Sequence, residues 1–423
     1  MARKRRRRIV IIGNSAAGLS GLEALRKRDP DCRVVLIDEE PYPAYSRVIT
    51  PYFVLGSLKE ESGLFLRDRA YYRRLGVKTL FGRRVVGLDV RNRDVLLDNG
   101  KKEPFDLLLI ATGSSPIRPK IRGAKPDEIH VLRSLEDARR LKALKPTIRQ
   151  GLFLGGGLVS LQSLQALFRR EGRYTVVVKS DHLLSQQLDP EGAEMIEKRL
   201  RGMGVQVLKG RDVIQLKRRK GSLRAVLDTG EELETDFLFA GKGVRPNIDF
   251  LRGTGIETKG GILVNRQMET NIEGIYAAGD VAVAPDFFSG EEVLYGLWSS
   301  AVEQGAVAGT NMAGQGVDYE GNLKMNVTRI FAVPVASIGE VRSTRVAESL
   351  VRKDERRGIY RKFCFDGQGR LIGAILIEEV EDLGVIQGLI RKRKDGAILK
   401  TRSLWRSPVN YGLVFKGLLQ GRP

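Results

Sequence analysis

Two glycine-rich turns carry the residues best suited to chemistry. The first, Gly13-Asn14-Ser15-Ala16-Ala17-Gly18, follows the run Ile9-Val10-Ile11-Ile12 and opens a helical pattern at Leu19, Leu22 and Leu25. A strand, a tight turn and a helix N-terminus in that order leave backbone N–H groups open to a pyrophosphate. Gly13 permits the turn, and Gly18 lets helix and strand pack closely. Ser15 stands where the usual G-x-G-x-x-G has its middle glycine, so phosphates would approach past a small Cβ. The next strand, Val34-Val35-Leu36-Ile37, runs into Asp38-Glu39, which places Glu39 to bind a ribose hydroxyl. With that carboxylate present, helix packing alone is a poor account of the glycines. The second turn, Gly155-Gly156-Gly157-Leu158-Val159-Ser160, repeats the pattern after Leu152-Phe153-Leu154. Its following strand, Thr175-Val176-Val177-Val178, ends at Lys179. Gly13 to Glu39 spans 26 residues and Gly155 to Lys179 spans 24. Two such units argue for two different nucleotides. A lysine at 179 would repel neither and could attract a 2′-phosphate, or it is simply an exposed strand-end residue.

Other reactive side chains are few. Cys32 and Cys364 lie 332 residues apart, form no C-x-x-C pair and are too few to hold an iron–sulfur cluster within one chain. His130 and His182 cannot alone build a typical zinc site or support a Ser-His-Asp triad, and both read as surface histidines. Redox chemistry would therefore come from a bound cofactor, and no metal site is expected.

The elements that must position these residues follow in order. Pro41-Tyr42-Pro43-Ala44-Tyr45-Ser46-Arg47 is turn-rich, and Arg47 could meet a phosphate or a flavin edge. A helical stretch carries Tyr71, Tyr72 and Leu75. Strand patterns follow at 83–89 and 94–97, with Asp98-Asn99-Gly100 as a turn. Residues 105–110 read as a buried parallel strand ending in Ala111-Thr112-Gly113-Ser114-Ser115-Pro116. Pro116, Pro119 and Pro126 mark a connector and a domain boundary. After the second turn unit, Phe237-Leu238-Phe239 ends at Ala240-Gly241, and the chain returns through Gly274-Ile275-Tyr276-Ala277-Ala278-Gly279-Asp280. Beyond about 325 the pattern changes to strands and hairpins, including 360–365 and 371–377. Residues 331–335 and 372–377 read as core strands.

With 423 residues, 42% of them hydrophobic, and 48 glycines, the chain suits an α/β enzyme of two or three domains. No apolar run approaches the ~20 residues of a membrane span. The Arg-rich start leads into only four apolar residues before Gly13, too short for a secretion signal, so a cytoplasmic protein is expected. The net charge of +21 is uneven: six positive charges lie at 3–8 and a net eight at 391–423. These ends are either solvated tails or a docking surface for an acidic partner. No reading motif accompanies them, so nucleic acid is not the expected partner.

Together GNSAAG with Glu39, ATGSSP at 111–116, GGGLVS at 155–160 and AAGD at 277–280 resemble the FAD-dependent pyridine nucleotide–disulfide oxidoreductase superfamily. The resemblance covers most of residues 9–315. It implies an α/β fold with two Rossmann-like dinucleotide-binding domains, for FAD and NAD(P), plus a C-terminal α/β interface domain. The expected divisions are 1–117 with 242–324 for FAD, 118–241 for NAD(P) and 325–423 for the third domain. By the same resemblance Gly13, Ser15, Ala16, Ala17, Gly18, Glu39, Arg47 and Val85 hold FAD. Ala111, Thr112 and Gly113 close over it, and Gly279 and Asp280 reach its ribityl–pyrophosphate region. A helix starting near Trp298 would aim its positive N-terminal dipole at the flavin pyrimidine carbonyl. Gly155, Gly157, Leu158, Val159, Lys179 and Gly241 would serve NAD(P). EEPYPAYSR, the SLQ after the second turn and the hairpin-rich third domain look most similar to one branch. It holds nitrite reductases, rubredoxin reductases and flavoprotein subunits of anaerobic complexes such as aldehyde oxidoreductase, phenylglyoxylate dehydrogenase and carbon monoxide dehydrogenase.

Departures from the family matter as much. No C-x-x-x-x-C follows the first helix, and Val48 stands where single-cysteine relatives keep a redox cysteine. Cys32 reads as a small buried residue. The Glu–Lys pair near flavin N5 in many relatives aligns with Gln162 and Tyr52, so both charges are missing together. The expected function is exchange of a hydride with NAD(P)H and of single electrons with an acidic iron–sulfur or ferredoxin-like partner, as a subunit of an oligomer or hetero-complex. Two rivals stay open: a stand-alone NAD(P)H oxidase or rubredoxin reductase, and a basic binding flavoprotein resembling apoptosis-inducing factor.

Overall fold

A computed structural model describes residues 6–219 and 222–393. The outermost parts of both basic ends, 1–5 and 394–423, lie outside the described residues. Arg7 and Arg8 are built into the fold: Arg7 pairs with Asp29 at 2.6 Å and Arg8 with Asp106 at 2.8 Å. The chain divides into two compact units. One comprises Met1–Ile117, Leu132–Lys142 and Gly243–Leu323, the other Arg118–Val131, Ala143–Lys242 and Lys324–Pro423.

The first unit is built on a five-stranded parallel sheet in the order Ile275–Ala277, Leu107–Ile110, Arg8–Ile12, Arg33–Asp38 and Val77–Phe81. These strands are short apolar runs because both faces are covered, so no polar face is needed. The helix Ala16–Arg28 lies against the helix Trp298–Met312 at small residues. A Cβ on Gly305 would sit 2.2 Å from Ala17 O, and one on Gly309 would sit 2.1 Å from Gly21 O. Backbones this close admit only glycine, and they fix where the N-terminus of the helix Trp298–Met312 is held. An antiparallel sheet of Val85–Asp89, Asp94–Leu97 and Lys102–Pro104 belongs to the same unit.

In the second unit another parallel sheet runs Val205–Lys209, Arg173–Val178, Gln150–Leu154, Phe237–Ala240, Ile129–His130. The repeat seen in sequence extends to single hydrogen bonds. Gly13 N donates to Ile37 O and Gly155 N to Val177 O, both at 2.8 Å. Ala111 N donates to Ile12 O, and Gly241 N does the same to Leu154 O. The five-stranded antiparallel sheet Met325–Ile330, Val333–Gly339, Leu371–Ile377, Ile359–Phe365, Glu348–Asp354 and the helix Leu383–Arg391 belong to this same unit. Asp189, which caps the helix Pro190–Gly202, accepts hydrogen bonds from Tyr360 Oη at 2.7 Å and Lys362 Nζ at 2.9 Å, tying that helix to the antiparallel sheet.

Three sequence expectations are corrected. Leu132–Lys142 clusters with the first unit, whereas the sequence boundaries put it in the second. The helix Leu135–Leu144 buries Leu135, Ala138 and Leu141, and Arg139 pairs with Glu61 of the first unit. Residues 331–335 are not one core strand. Phe331 and Ala332 adopt φ +48° and +71° and form the hairpin turn between Met325–Ile330 and Val333–Gly339. No glycine or asparagine marks that turn. Phe331 N donates to Gln165 Oε1 at 2.8 Å, and its ring packs edge-on to Phe168, so contacts within the unit hold the strained backbone. His182 is not at the surface: it is 3% exposed, with Nδ1 2.8 Å from Leu183 O and Nε2 3.0 Å from Arg342 Nη1.

Candidate functional site

In the first unit a cavity of about 610 Å³ opens at the carboxyl ends of the parallel strands, where open α/β sheets bind ligands. Its wall brings together eight of the residues singled out from sequence: Gly13, Ser15, Glu39, Arg47, Val85, Ala111, Thr112 and Gly113. Gly13 has φ +104°, and a Cβ there would lie 2.1 Å from Ala111 O, so both the turn and the approach to the neighbouring strand require glycine. A Cβ on Gly18 would lie 1.9 Å from Gly13 O. Ala16, Ala17 and Gly18 are buried behind the wall, and Gly279, Asp280 and Trp298 also stand outside it. Asp280 nevertheless bonds two wall residues, accepting from Ser114 Oγ at 2.9 Å and Arg133 Nη2 at 2.7 Å. Trp298 begins its helix with no side-chain cap before it, leaving the first N–H groups without intrahelical partners.

Arg47 lines the cavity with its charge already engaged. It pairs with Glu40 at 2.7 Å, donates to Arg133 O at 2.9 Å and stacks over the Tyr45 ring. Glu39 is exposed at the rim. The carboxylate beside it, Asp38, is half-buried, and its Oδ2 accepts from Asn14 N at 2.6 Å and Oδ1 from Glu40 N at 2.8 Å. Burial pushes this carboxyl up to about 6 despite those two bonds. Asn14 Oδ1 accepts from Tyr72 Oη at 2.8 Å, while its buried Nδ2 has no partner.

Sequence reasoning missed Asn14, Asp38, Ser114, Arg133 and Asn247 as wall residues. For Arg133 a local signal exists. Ser134 N donates to Asp137 Oδ2 and Asp137 N to Ser134 Oγ, a capping box legible as Ser134-Leu135-Glu136-Asp137. It marks a helix start, though not which unit that start joins.

The second unit places its predicted residues around an equivalent turn. Gly155 has φ +102°, and a Cβ there would lie 2.4 Å from Gly241 O. Gly157 precedes the helix Leu158–Leu167, Leu158 begins it, and Val159 is 46% exposed at its start. A Cβ on Gly241 would lie 2.8 Å from Ser160 Cβ. By strand register Val178 occupies the place of Asp38, and a Cβ on Gly156 would meet its Cγ1 at 2.7 Å. An apolar contact thus replaces the carboxylate of the first copy. Lys179, in the place of Glu39, is exposed. Gln162 Nε2 donates to Thr328 Oγ1 at 2.6 Å, while Tyr52 lies on the helix Thr50–Leu55 of the first unit.

Both thiols are buried and burial raises both, with neither in the cavity wall. Among the described residues no group of His, Cys, Asp or Glu could hold a metal ion, and no helix is long and apolar enough to cross a membrane.

The comparisons with known proteins agree with this geometry. Residues 7–305 match the pyridine nucleotide-disulphide oxidoreductase model, and residues 325–394 match the rubredoxin NAD+ reductase C-terminal domain. The chain belongs to the pyridine nucleotide–disulphide oxidoreductase family. It is 33% identical to the NADH-dependent phenylglyoxylate dehydrogenase subunit epsilon of Aromatoleum evansii, over 93% of each chain. It is 26% identical to the NADH-rubredoxin oxidoreductase of Clostridium acetobutylicum, over 88% of this chain and 91% of that one. Among solved structures, the ferredoxin reductase of Rhodopseudomonas palustris superposes with a TM-score of 0.86 at 21% identity, covering 92% of this chain and 96% of that one, which supports the fold. Against some longer relatives, nitrite reductases among them, the chain spans about half their length. As a member of the family it is an NAD(P)H-dependent flavoprotein oxidoreductase that uses FAD. The cavity fits that cofactor: its wall joins a glycine turn that opens a helix, the adjacent carboxylates Asp38 and Glu39 and the buried, unpartnered Nδ2 of Asn14.

Proposed function

We propose that this protein moves electrons between a pyridine nucleotide and an iron–sulfur or ferredoxin-like protein, as the flavoprotein subunit of a larger redox complex. The observation that carries the reading is the burial of both cysteines away from the cavity, in a family named for disulphide chemistry. Electrons taken up here have no internal disulfide to reduce. The match along nearly its whole length to a subunit of an NADH-dependent dehydrogenase supports the complex, and the rubredoxin reductase relative and C-terminal domain support an iron–sulfur acceptor.

Bound FAD supplies the exchange between two-electron hydride chemistry and one-electron transfer. The chain's own residues do the rest. The turn after Gly13 would offer the N–H groups from Ser15 onward, at the start of its helix, to the pyrophosphate, and Glu39 with Asp38 would take ribose hydroxyls. Ala111, Thr112 and Gly113 would shape the wall beside the ring system. Ser114 and Arg133 would orient Asp280 toward the ribityl–pyrophosphate region, with Gly279 giving the close approach before it. The open N-terminus at Trp298 would favour negative charge on the ring. In the second unit the turn of Gly155, Gly157, Leu158 and Val159, packed against Gly241, would hold the nucleotide pyrophosphate, with Lys179 at its ribose. Arg47, already paired with Glu40, would position the wall more than bind phosphate.

An anaerobic titration with NADH and NADPH separately, followed by addition of oxidised ferredoxin or rubredoxin, tests the whole reading. Bleaching of the flavin and its re-oxidation by the iron–sulfur protein, slowed by salt, are the expected results. No bleaching by either nucleotide would refute hydride exchange. Bleaching followed by turnover with oxygen alone would make the protein a stand-alone oxidase.

A further inference from the structure

A second cavity, of about 580 Å³, lies wholly within the second unit and belongs to neither dinucleotide turn. One wall is the helix Pro190–Gly202 with Met195, Ile196 and, just beyond its end, Met203. The other is the hairpin turn Phe331-Ala332 with Val333 and Ile377. Ile196, Ile377 and Phe331 are buried in its floor. Two of the chain's six methionines meet here, side chains that adapt to irregular apolar partners. The rim is cationic: Lys198, Arg199, Lys353, Arg356 and Arg357 are all exposed, against Glu355 and Glu378. Glu355 answers Lys353 at 2.7 Å and Lys198 at 4.0 Å, and Arg357 reaches Glu379 at 3.1 Å. Arg199 and Arg356 make no ion pair among the described residues.

Backbone strain concentrates at the same place. Of the seven non-glycine residues with positive φ among those described, Phe331, Ala332 and Glu378 all line this cavity. Such conformations persist where surrounding contacts over-determine them and cluster at binding sites. Here Gln165 and Phe168 fix Phe331, and Glu378 N donates to Pro334 O at 2.9 Å.

We infer that this groove docks an acidic segment of the electron-transfer partner, with one or two large apolar side chains seated on Met195, Met203 and Phe331 and carboxylates on Arg199 and Arg356. Charge selects that occupant. A second copy of this chain carries +21, and residues 394–423 are themselves basic, so both meet the rim with like charge. The identity of the occupant rests on the proposed transfer to a partner protein. The binding itself does not.

The test uses full-length holoprotein and a fluorescein-labelled acidic peptide of alternating Asp and Glu with one Leu and one Phe, read by anisotropy. Reversing two groove charges, R199E/R356E, is expected to weaken binding by about tenfold or more, a loss in the range of one broken charge pair. An equal reversal on the other unit, R91E/K101E, is expected to change it by less than about twofold. A peptide with Ser for Leu and Phe is expected to bind more weakly than the parent. Flavin content and NADH-driven ferricyanide reduction stay unchanged in R199E/R356E, and the milder R199Q/R356Q gives an intermediate loss. Equal weakening by both reversals, equal binding of the Ser peptide or no binding would overturn the groove. Salt-sensitive ferredoxin reduction would survive any of those results, whereas a groove that binds the peptide in a protein whose flavin reduces no ferredoxin would remove the transfer reading alone.

Discussion

Arg133 Nη2 donates to Asp280 Oδ2 at 2.7 Å, joining positions 147 residues apart inside the first unit. The same carboxylate oxygen accepts from Ser114 Oγ. An aspartate at the end of the AAGD stretch is thus oriented by an arginine from Leu132–Lys142 of the same unit.

Removing either member should loosen FAD. A charge-assisted bond of this kind contributes about 1.5–3 kcal/mol, so Arg133→Ala and Asp280→Asn should each weaken FAD reconstitution by roughly tenfold or more. The double variant should fall no further than the worse single one. Titration of flavin-stripped protein with FAD, followed by flavin fluorescence, measures this. Additive losses would mean the two residues act separately.

Asp38 gives a pH signature. Its carboxyl is raised to about 6 by burial, above the ordinary value of 3.8, so the folded state holds a proton that the unfolded state releases. Its contribution to stability is therefore greatest in acid and declines as pH rises from about 4 to 6, by roughly 3 kcal/mol in all. Asn at this position cannot ionise. In flavin-stripped protein, the unfolding free energy of Asp38→Asn minus that of the wild type should rise by that amount between pH 4 and pH 7. A flat difference across this range would show that Asp38 titrates normally.

The two glycine turns should fail separately. A Cβ at Gly13 would strike Ala111 O and one at Gly155 would strike Gly241 O, each at a positive φ. Gly155→Ala should purify yellow and lose reduction by NADH and NADPH, whereas Gly13→Ala should purify with little flavin. Absorbance at the flavin band and anaerobic titration distinguish them. Nucleotide reduction surviving in Gly155→Ala would remove the second turn from the reaction.

No thiol should be needed. Burial holds both Cys32 and Cys364 above the ordinary thiol range, which lowers their thiolate fraction. The variant C32A/C364A should keep its rate of nucleotide-driven flavin reduction within about twofold. Loss of turnover with flavin content intact would restore a disulfide mechanism.

The tie between Asp189 and the antiparallel sheet should be measurable as stability. Burial pulls this carboxyl up, but Tyr360, the Gly192 N–H and Lys362 together outweigh it and hold it below its ordinary value. A depressed carboxyl stabilises above its unfolded pKa and loses that contribution as pH falls. Tyr360→Phe should cost about 1–3 kcal/mol at neutral pH and less in acid. Urea unfolding at pH 7 and pH 3.5 checks both parts, and an equal cost at both would assign the effect to packing.

Much of the fold was legible because its rules are local. A β-branched run ending in glycine and followed by a helical pattern names a strand, a turn and a helix wherever it occurs. Gly13 and Gly155 each need a backbone that their own neighbours already demand. The spacings to Glu39 and Lys179 follow from the same short unit, and the equivalent hydrogen bonds at Gly13 and Gly155 are its direct consequence. The buried state of Cys32 was likewise readable from its flanks.

Charge placement was not local. Arg133 meets Asp280, and His182 meets Arg342 across 160 residues, only because separate elements pack side by side. The turn at Phe331 and Ala332 has no turn residues to announce it, since its strain is held by Gln165 and Phe168. Asp38 and Glu39 look interchangeable in sequence, yet burial makes one a perturbed carboxyl at the cavity wall and leaves the other at the rim. The sequence by itself determined the two dinucleotide turns and their strands, because backbone geometry and hydrophobic period act over a few residues. The tertiary structure alone decided which charges converge and which are buried, because Coulomb and desolvation energies depend on distances in space that no spacing along the chain encodes.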